Sequence, residues 1–341
     1  MSPHGPPLAL TLGEPAGIGP ELTLMAWSRR NALGLPPFIV VGDPALLTAR
    51  ARLLRLEVPV TECDARGAAA AFARALPVLP TGVKATAAPG KPDASSAAAT
   101  LAGIDRAVAL ARSGEAGAIV TNPIAKSVLA EAGFAFPGHT EYLAHLAAEP
   151  GRKPPLPVML IWSETLAVVP VTVHVPLAEV PRRLSADLIV ETGRIVAREL
   201  TRRFGIAGPR LAVCGLNPHA GEQGHLGHEE ETIIAPAIAR LQRDGIAASG
   251  PYPADTLFHE AARAGYDVVL GMYHDQVLAP AKALAFDSAV NVTLGLPFVR
   301  TSPDHGTAFD IAGTGRASPA SLVAALKLAR RLAAAETPVA A

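Results

Sequence analysis

Three apolar runs in the chain each close on a histidine: AVVPVTVH at His174, LAVCGLNPH at His219 and DVVLGMYH at His274. Runs of this composition predict strands, and in open α/β sheets ligands bind beyond the carboxyl ends of the strands. Three imidazoles so placed have the donor chemistry of a catalytic metal site, which leaves a coordination position for water or substrate. Asp275, next to His274, could add a carboxylate as a further ligand or as a hydrogen-bond partner of the ring. The plainer reading is that each histidine caps its strand or bonds a backbone carbonyl. His225 and His228, in GEQGHLGHEE, lie in a glycine-rich loop and read as solvated or structural.

A second set is basic and polar. Lys282, Asn291 and Arg300 recur at even intervals through an otherwise apolar stretch. An ammonium and a guanidinium flanking an apolar strand suggest a site for phosphate or carboxylate; ordinary surface charge is the alternative. Gly138-His139-Thr140 precedes a helical pattern, so its backbone N–H groups and side chains could also meet an anion. Asp255, in YPADTLF, is a candidate base or metal ligand, or else a helix N-cap.

The glycine-rich segment GEPAGIGPE, residues 13–21, follows a strand and opens a helix. A dinucleotide-binding turn needs G-x-G-x-x-G there. Gly17-Ile18-Gly19 is instead followed by Pro20, Glu21 and Leu22, and no Gly-Lys-Ser/Thr follows, so neither fingerprint nor P-loop is present. The segment reads as a strand-to-helix turn with proline early in the helix. Nucleotide binding must be built elsewhere.

These residues need elements to carry them. Strands are predicted over 8–12, 38–41, 118–121, 166–174, 211–216, 267–272 and 289–293, and helices over 20–30, 44–54, 95–112, 140–148, 185–204, 229–244 and 318–335. The alternation predicts an α/β protein with a mostly parallel sheet. A length of 341 residues suggests two domains, with the Pro-rich connections 81–93 and 150–157 as candidate crossings. Half of the residues are hydrophobic and 18% charged, which excludes a disordered chain. Lys+Arg and Asp+Glu number 30 each, so no basic excess is available for nucleic acid. Cys63 and Cys214 cannot make a disulfide framework. With no signal-peptide pattern at the start and no long apolar run, a cytoplasmic protein without a membrane partner is expected.

Seven segments together resemble one family. They are GEPAGIGPE, VTNPIAK (120–126), GHTEYLA (138–144), HVPLAEVP (174–181), GLNPHAGE (215–222), MYHDQ (272–276) and TSPDHGTAFDIAGTG (301–315). In this order, over about residues 8–330, they resemble the 4-hydroxythreonine-4-phosphate dehydrogenases of pyridoxal 5'-phosphate biosynthesis. HGTAFDIAG is also similar to the adenosine-binding loop of isopropylmalate and isocitrate dehydrogenases, a fold that binds NAD without the Rossmann fingerprint.

The resemblance implies two α/β/α domains with a largely parallel mixed sheet and an active site in the interdomain cleft. The first domain is expected over 1–130 plus 295–341, and the second over 131–294. It implies one divalent metal ion (zinc, magnesium or cobalt) on His174, His219 and His274. Substrate binding falls on His139, Thr140, Lys282, Asn291 and Arg300, and cofactor binding on His305, Gly306, Thr307 and Asp310. Asp310 would favour NAD over NADP, because a carboxylate there repels a 2'-phosphate. Lys282 and Asp255 are the candidates for catalytic proton transfer. A homodimer is implied, its metal site drawing on both subunits. The implied reaction is oxidation of 4-phosphohydroxy-L-threonine at C3, then decarboxylation to 3-amino-2-oxopropyl phosphate. Alternatives are a paralogous dehydrogenase of threonate or erythronate 4-phosphate or of a cis-dihydrodiol carboxylate, a metal hydrolase that activates water, and a non-catalytic binding protein.

Overall fold

The structure, a computed structural model, describes residues 5–136 and 138–336. Its twelve strands are β1 (Leu8–Thr11), β2 (Phe38–Gly42), β3 (Val60–Glu62), β4 (Leu76–Pro80), β5 (Ala118–Thr121), β6 (Val158–Trp162), β7 (Ala167–Thr172), β8 (Leu211–Cys214), β9 (Ala248–Tyr252), β10 (Val268–Tyr273), β11 (Val290–Leu294) and β12 (Arg300–Pro303). The chain divides into two compact units: one runs to Pro157 and resumes at Leu296, and the other is Val158–Gly295.

In the first unit the strand order is β3-β4-β2-β1-β5-β12, and the pairs are parallel. Parallel strands covered on both faces read as unbroken apolar runs, which is why LALT, FIVVG and AIVT are buried at every position. The connecting helices carry their own start signals. Asp43 caps Pro44–Leu53 by accepting from Ala45 N–H, and Asp93 with Ser96 forms a capping box on Ala94–Arg112. GEPAGIGPE is the strand-to-helix turn expected, with Pro20 in the first turn of helix Gly19–Ser28. Only glycine suits position 13. Its φ is +69°, and a Cβ there would fall 2.3 Å from the Pro123 carbonyl oxygen.

The second unit orders its strands β11-β6-β7-β10-β8-β9. β6 runs antiparallel to β11 and β7, and the remaining pairs are parallel. β7, β10 and β8 are therefore parallel neighbours, which brings the loops after them to one edge of the sheet.

The first crossing lies at Pro157, not near residue 130. Helix His139–Ala147 buries Leu143, Ala144 and Ala147 among Ile104, Val108 and Leu110 of helix Ala94–Arg112, so its apolar face ties 139–147 to the first core. The crossing falls instead in the Pro-rich connection 150–157. Strands β3, β4, β6, β9 and β12 were not expected. β4 and β9 carry prolines, and β3 and β9 are edge strands whose half-exposed residues lack a clean alternation. Helix His274–Ala285 was hidden by Pro280 in its interior.

Candidate active site

Arg300 opens β12 beside β5, in register with Ile119. It is 4% exposed, and its Nη2 and Nε donate to the Thr121 hydroxyl at 2.6 and 3.2 Å. Nη2 also lies 3.5 Å from Nδ1 of His139, the first residue of helix His139–Ala147. Burial pulls the Arg300 pKa down to about 10, still above neutrality, so the guanidinium stays charged. Burial, and then the Arg300 charge, hold the His139 imidazole well below its ordinary range, and it stays neutral. A guanidinium can only donate, so Nδ1 must accept and the ring proton must sit on Nε2. That Nε2 is buried and, among the described residues, has no hydrogen-bond partner. A charged guanidinium, an N–H donor without a partner and a helix N-terminus with Thr140 in its first turn together form an anion-binding arrangement.

The loop 304–315 lies in the same unit. The Thr307 carbonyl accepts from Ile18 N–H at 3.0 Å, while Gly306 and Asp310 are exposed. His305 Nδ1 is 3.0 Å from the Gly306 carbonyl, and its Nε2 is buried without a partner. GEPAGIGPE thus lies against this loop rather than forming a nucleotide site of its own.

In the second unit, His174 and His274 come together, their ring centroids 5.7 Å apart. With Thr172, Leu177, Tyr273 and Asp275 they line a cavity of about 330 Å³. His174 has φ +52°, and so does His219. A non-glycine residue in the left-handed region is strained, and such strain collects at functional sites. His274 does not end its strand: β10 closes at Tyr273, and His274 is the first residue of helix His274–Ala285. Its Nδ1 is 2.7 Å from Asp275 Oδ1, so the carboxylate can hold a proton on Nδ1 while Nε2 faces a metal ion. That is the arrangement of a metal-binding histidine whose other nitrogen is held by a carboxylate.

His219 does not join them. Among the described residues no three His, Cys, Asp or Glu side chains form a group that could hold a metal ion. The three-histidine set expected from sequence is therefore not assembled within one chain. Residues 219–223 wind through a run of positive φ, anchored where buried Glu230 accepts from the N–H groups of Leu216 and Asn217 at 2.7 and 2.8 Å.

The remaining candidates separate by unit. Lys282, on helix His274–Ala285, and Asn291, on β11, are partly exposed residues of the second unit, and Arg300, His139 and Thr140 belong to the first. Asp255 is exposed on the short turn Ala254–Thr256 and caps no α-helix.

The family model described as pyridoxal phosphate biosynthetic protein PdxA matches residues 35–329. The chain belongs to this family. It is 65% identical over 335 residues to the 4-hydroxythreonine-4-phosphate dehydrogenase of Xanthobacter autotrophicus, covering 98% of this chain and 96% of that one. The crystal structure of the Klebsiella pneumoniae 4-hydroxythreonine-4-phosphate dehydrogenase is 37% identical with a TM-score of 0.85, covering 98% of this chain and 99% of the other. A terephthalate 1,2-cis-dihydrodiol dehydrogenase from Burkholderia xenovorans is 28% identical with a TM-score of 0.64, covering 96% and 98%.

Two residues of this PdxA-family chain escaped the sequence reading. Thr121 was seen only as the end of a strand, yet its hydroxyl fixes the Arg300 guanidinium. Lys126 was part of VTNPIAK without a role. Its Nζ lies 3.4 Å from where a Cβ on Gly138 would stand, which puts a second cation beside the start of helix His139–Ala147.

Proposed function

We propose that this chain is an NAD-dependent 4-hydroxythreonine-4-phosphate dehydrogenase. It would convert 4-phosphohydroxy-L-threonine and NAD⁺ to 3-amino-2-oxopropyl phosphate, carbon dioxide and NADH. The observation that carries this reading is the buried, charged Arg300 beside a neutral His139 whose Nε2–H lacks a partner. Buried donors of this kind find partners, and a phosphate oxygen is a suitable one. Thr140 and Lys126 would complete the grip on the phosphate, and Lys282 and Asn291 would hold the carboxylate end. Fixing both ends presents C3 in one orientation, which is the main service a binding site gives to hydrogen transfer.

His174 and His274 would hold a divalent cation (zinc, magnesium or cobalt), with Asp275 orienting the His274 ring. Imidazole nitrogens suit such an ion. The set is completed by His219 in a homodimer whose metal site draws on both subunits. The exposure of Leu177, Leu284 and Phe286, at 68, 46 and 73%, supports an interface on the second unit. A cation there would polarise the C3 hydroxyl oxygen and later the keto oxygen. His305, Gly306, Thr307 and Asp310 would bind NAD, with exposed Asp310 taking the free ribose 2'-hydroxyl. Lys282 is the group assigned to move the hydroxyl proton. Asp255, exposed on its turn, is the second candidate for that step. Among the described residues no helix is long and apolar enough to cross a membrane, and a cytoplasmic location accords with this.

The test is a stoichiometry. Purified protein with a divalent cation, NAD and 4-phosphohydroxy-L-threonine should yield NADH and carbon dioxide in equal amounts. NADH without carbon dioxide, or neither product with zinc, magnesium and cobalt each supplied, contradicts the proposal. The second reading, a dehydrogenase of a cis-dihydrodiol carboxylate, has the Burkholderia xenovorans neighbour in its favour. It would be revealed by NAD reduction with such a diol and none with the phosphorylated amino acid.

A further inference from the structure

Residues 304–315 form neither helix nor strand after β12 closes at Pro303. Their geometry therefore depends on ties to what lies beneath them. Glu21, completely buried on helix Gly19–Ser28, supplies one: its Oε2 accepts from Gly313 N–H at 2.6 Å. The same oxygen stands 3.7 Å from Nη1 of Arg50. Arg50, 4% exposed, donates from Nη1 to the Gly17 carbonyl and from Nη2 to the Pro15 carbonyl, both at 3.0 Å. One buried ion pair thus joins the turn 13–19, helix Pro44–Leu53 and the loop 304–315. The bond from Ile18 N–H to the Thr307 carbonyl is a second tie between the same turn and loop. Gly313 has φ +78°, and a Cβ on it would meet Pro89 Cβ at 2.8 Å, so the backbone at the Glu21 contact has little room to shift.

A buried ion pair is a poor source of net stability, because desolvation of the two charges roughly cancels their attraction. What it does well is fix geometry, since its hydrogen bonds are directional and leaving either charge alone is costly. We infer that Glu21 and Arg50 are positioning residues for the cofactor loop: through Gly313, Gly17 and Pro15 they hold residues 305–310 in the arrangement that receives NAD. The inference rests on the reading of 305–310 as the NAD-binding loop. It also gives GEPAGIGPE a role. The segment carries Glu21 and supplies the Gly17 and Pro15 carbonyls that Arg50 holds.

The experiment compares the wild type with Glu21→Ala and Glu21→Gln in steady-state kinetics on the holoenzyme. Glu21→Ala should raise KM for NAD by about tenfold to 100-fold, the scale of misplacing a binding group from a distance. KM for 4-phosphohydroxy-L-threonine and kcat at saturating NAD should stay within about twofold. Glu21→Gln, which keeps the length and an acceptor oxygen but loses the charge, should give a smaller rise in the same constant. Equal rises in both KM values, or no rise for NAD, overturn the positioning role. Hydrogen exchange on the wild type needs no variant: peptides covering 305–315 should exchange slowly without NAD and more slowly with it. Exchange at the unprotected rate overturns the tie itself. Wild type that binds no NAD in calorimetry sinks the cofactor reading and this role together, whereas NAD binding that ignores Glu21→Ala sinks the role alone.

Discussion

Arg300 holds a positive charge where water scarcely reaches, and the neutrality of His139 follows from that charge and from burial. In the unfolded chain a histidine takes up a proton near pH 6.5; in the fold His139 does so only at much lower pH. Below about pH 6.5 the unfolded state therefore binds more protons, so stability falls as pH falls, by up to about 1.4 kcal/mol per pH unit from this residue. Its contribution is fully present above pH 6.5. His139→Gln should lose less stability than the wild type between about pH 7.5 and pH 5.5 in urea unfolding. Parallel losses would contradict the assignment. For Arg300, replacement by Met should weaken substrate binding by about 1.5–3 kcal/mol, the worth of a hydrogen bond to a charged group. Initial-rate kinetics should show KM for NAD changing far less. Equal effects on both ligands would mark Arg300 as a structural residue.

Helix His139–Ala147 links the candidate anion site to the core, because its first residue stands beside Arg300 and its middle packs. Leu143 is 0% exposed, so Leu143→Ala should cost about 2–5 kcal/mol of unfolding free energy through the cavity it leaves. The same variant should raise KM for the phosphorylated substrate while leaving that for NAD near its original value. Unfolding free energy unchanged from wild type would contradict this packing. Such elements were legible to the degree that burial was two-sided. β1, β2, β5 and β8 are apolar at nearly every position and appear in the sequence at almost their true bounds. β3, β4 and β9 do not, because edge position and proline erase the pattern. The helix after β10 was missed for Pro280, so His274 was placed at a strand end and Lys282 in a stretch without helical periodicity. The candidate anion site is half legible: Arg300, His139 and Thr140 stand out by type and context. Thr121 and Lys126 do not, because their roles come from tertiary contacts that no local pattern encodes.

Across the whole chain, long motifs in order pointed to the PdxA family more securely than any single spacing did. The expected trio of histidines is the instructive case. Matching strand-end contexts put His174, His219 and His274 on neighbouring loops, but only two rings meet. The proposed homodimer would account for the difference, and sedimentation should then find a dimer at micromolar protein concentration. Phe286→Asp, which puts a charge on the exposed apolar surface of the second unit, should shift the protein toward monomer and lower its activity in proportion. A fully active monomer would contradict the shared site. The central claim is the substrate, and the most direct measurement is kcat/KM on 4-phosphohydroxy-L-threonine, threonate 4-phosphate and erythronate 4-phosphate side by side. The three differ at C2, where the first carries an amino group and the others a hydroxyl. A buried polar partner left unmatched costs about 1–3 kcal/mol, so the amino acid should be preferred by a corresponding factor of roughly 5 to 150. A preference for either sugar acid would contradict the assignment while leaving the fold and family in place.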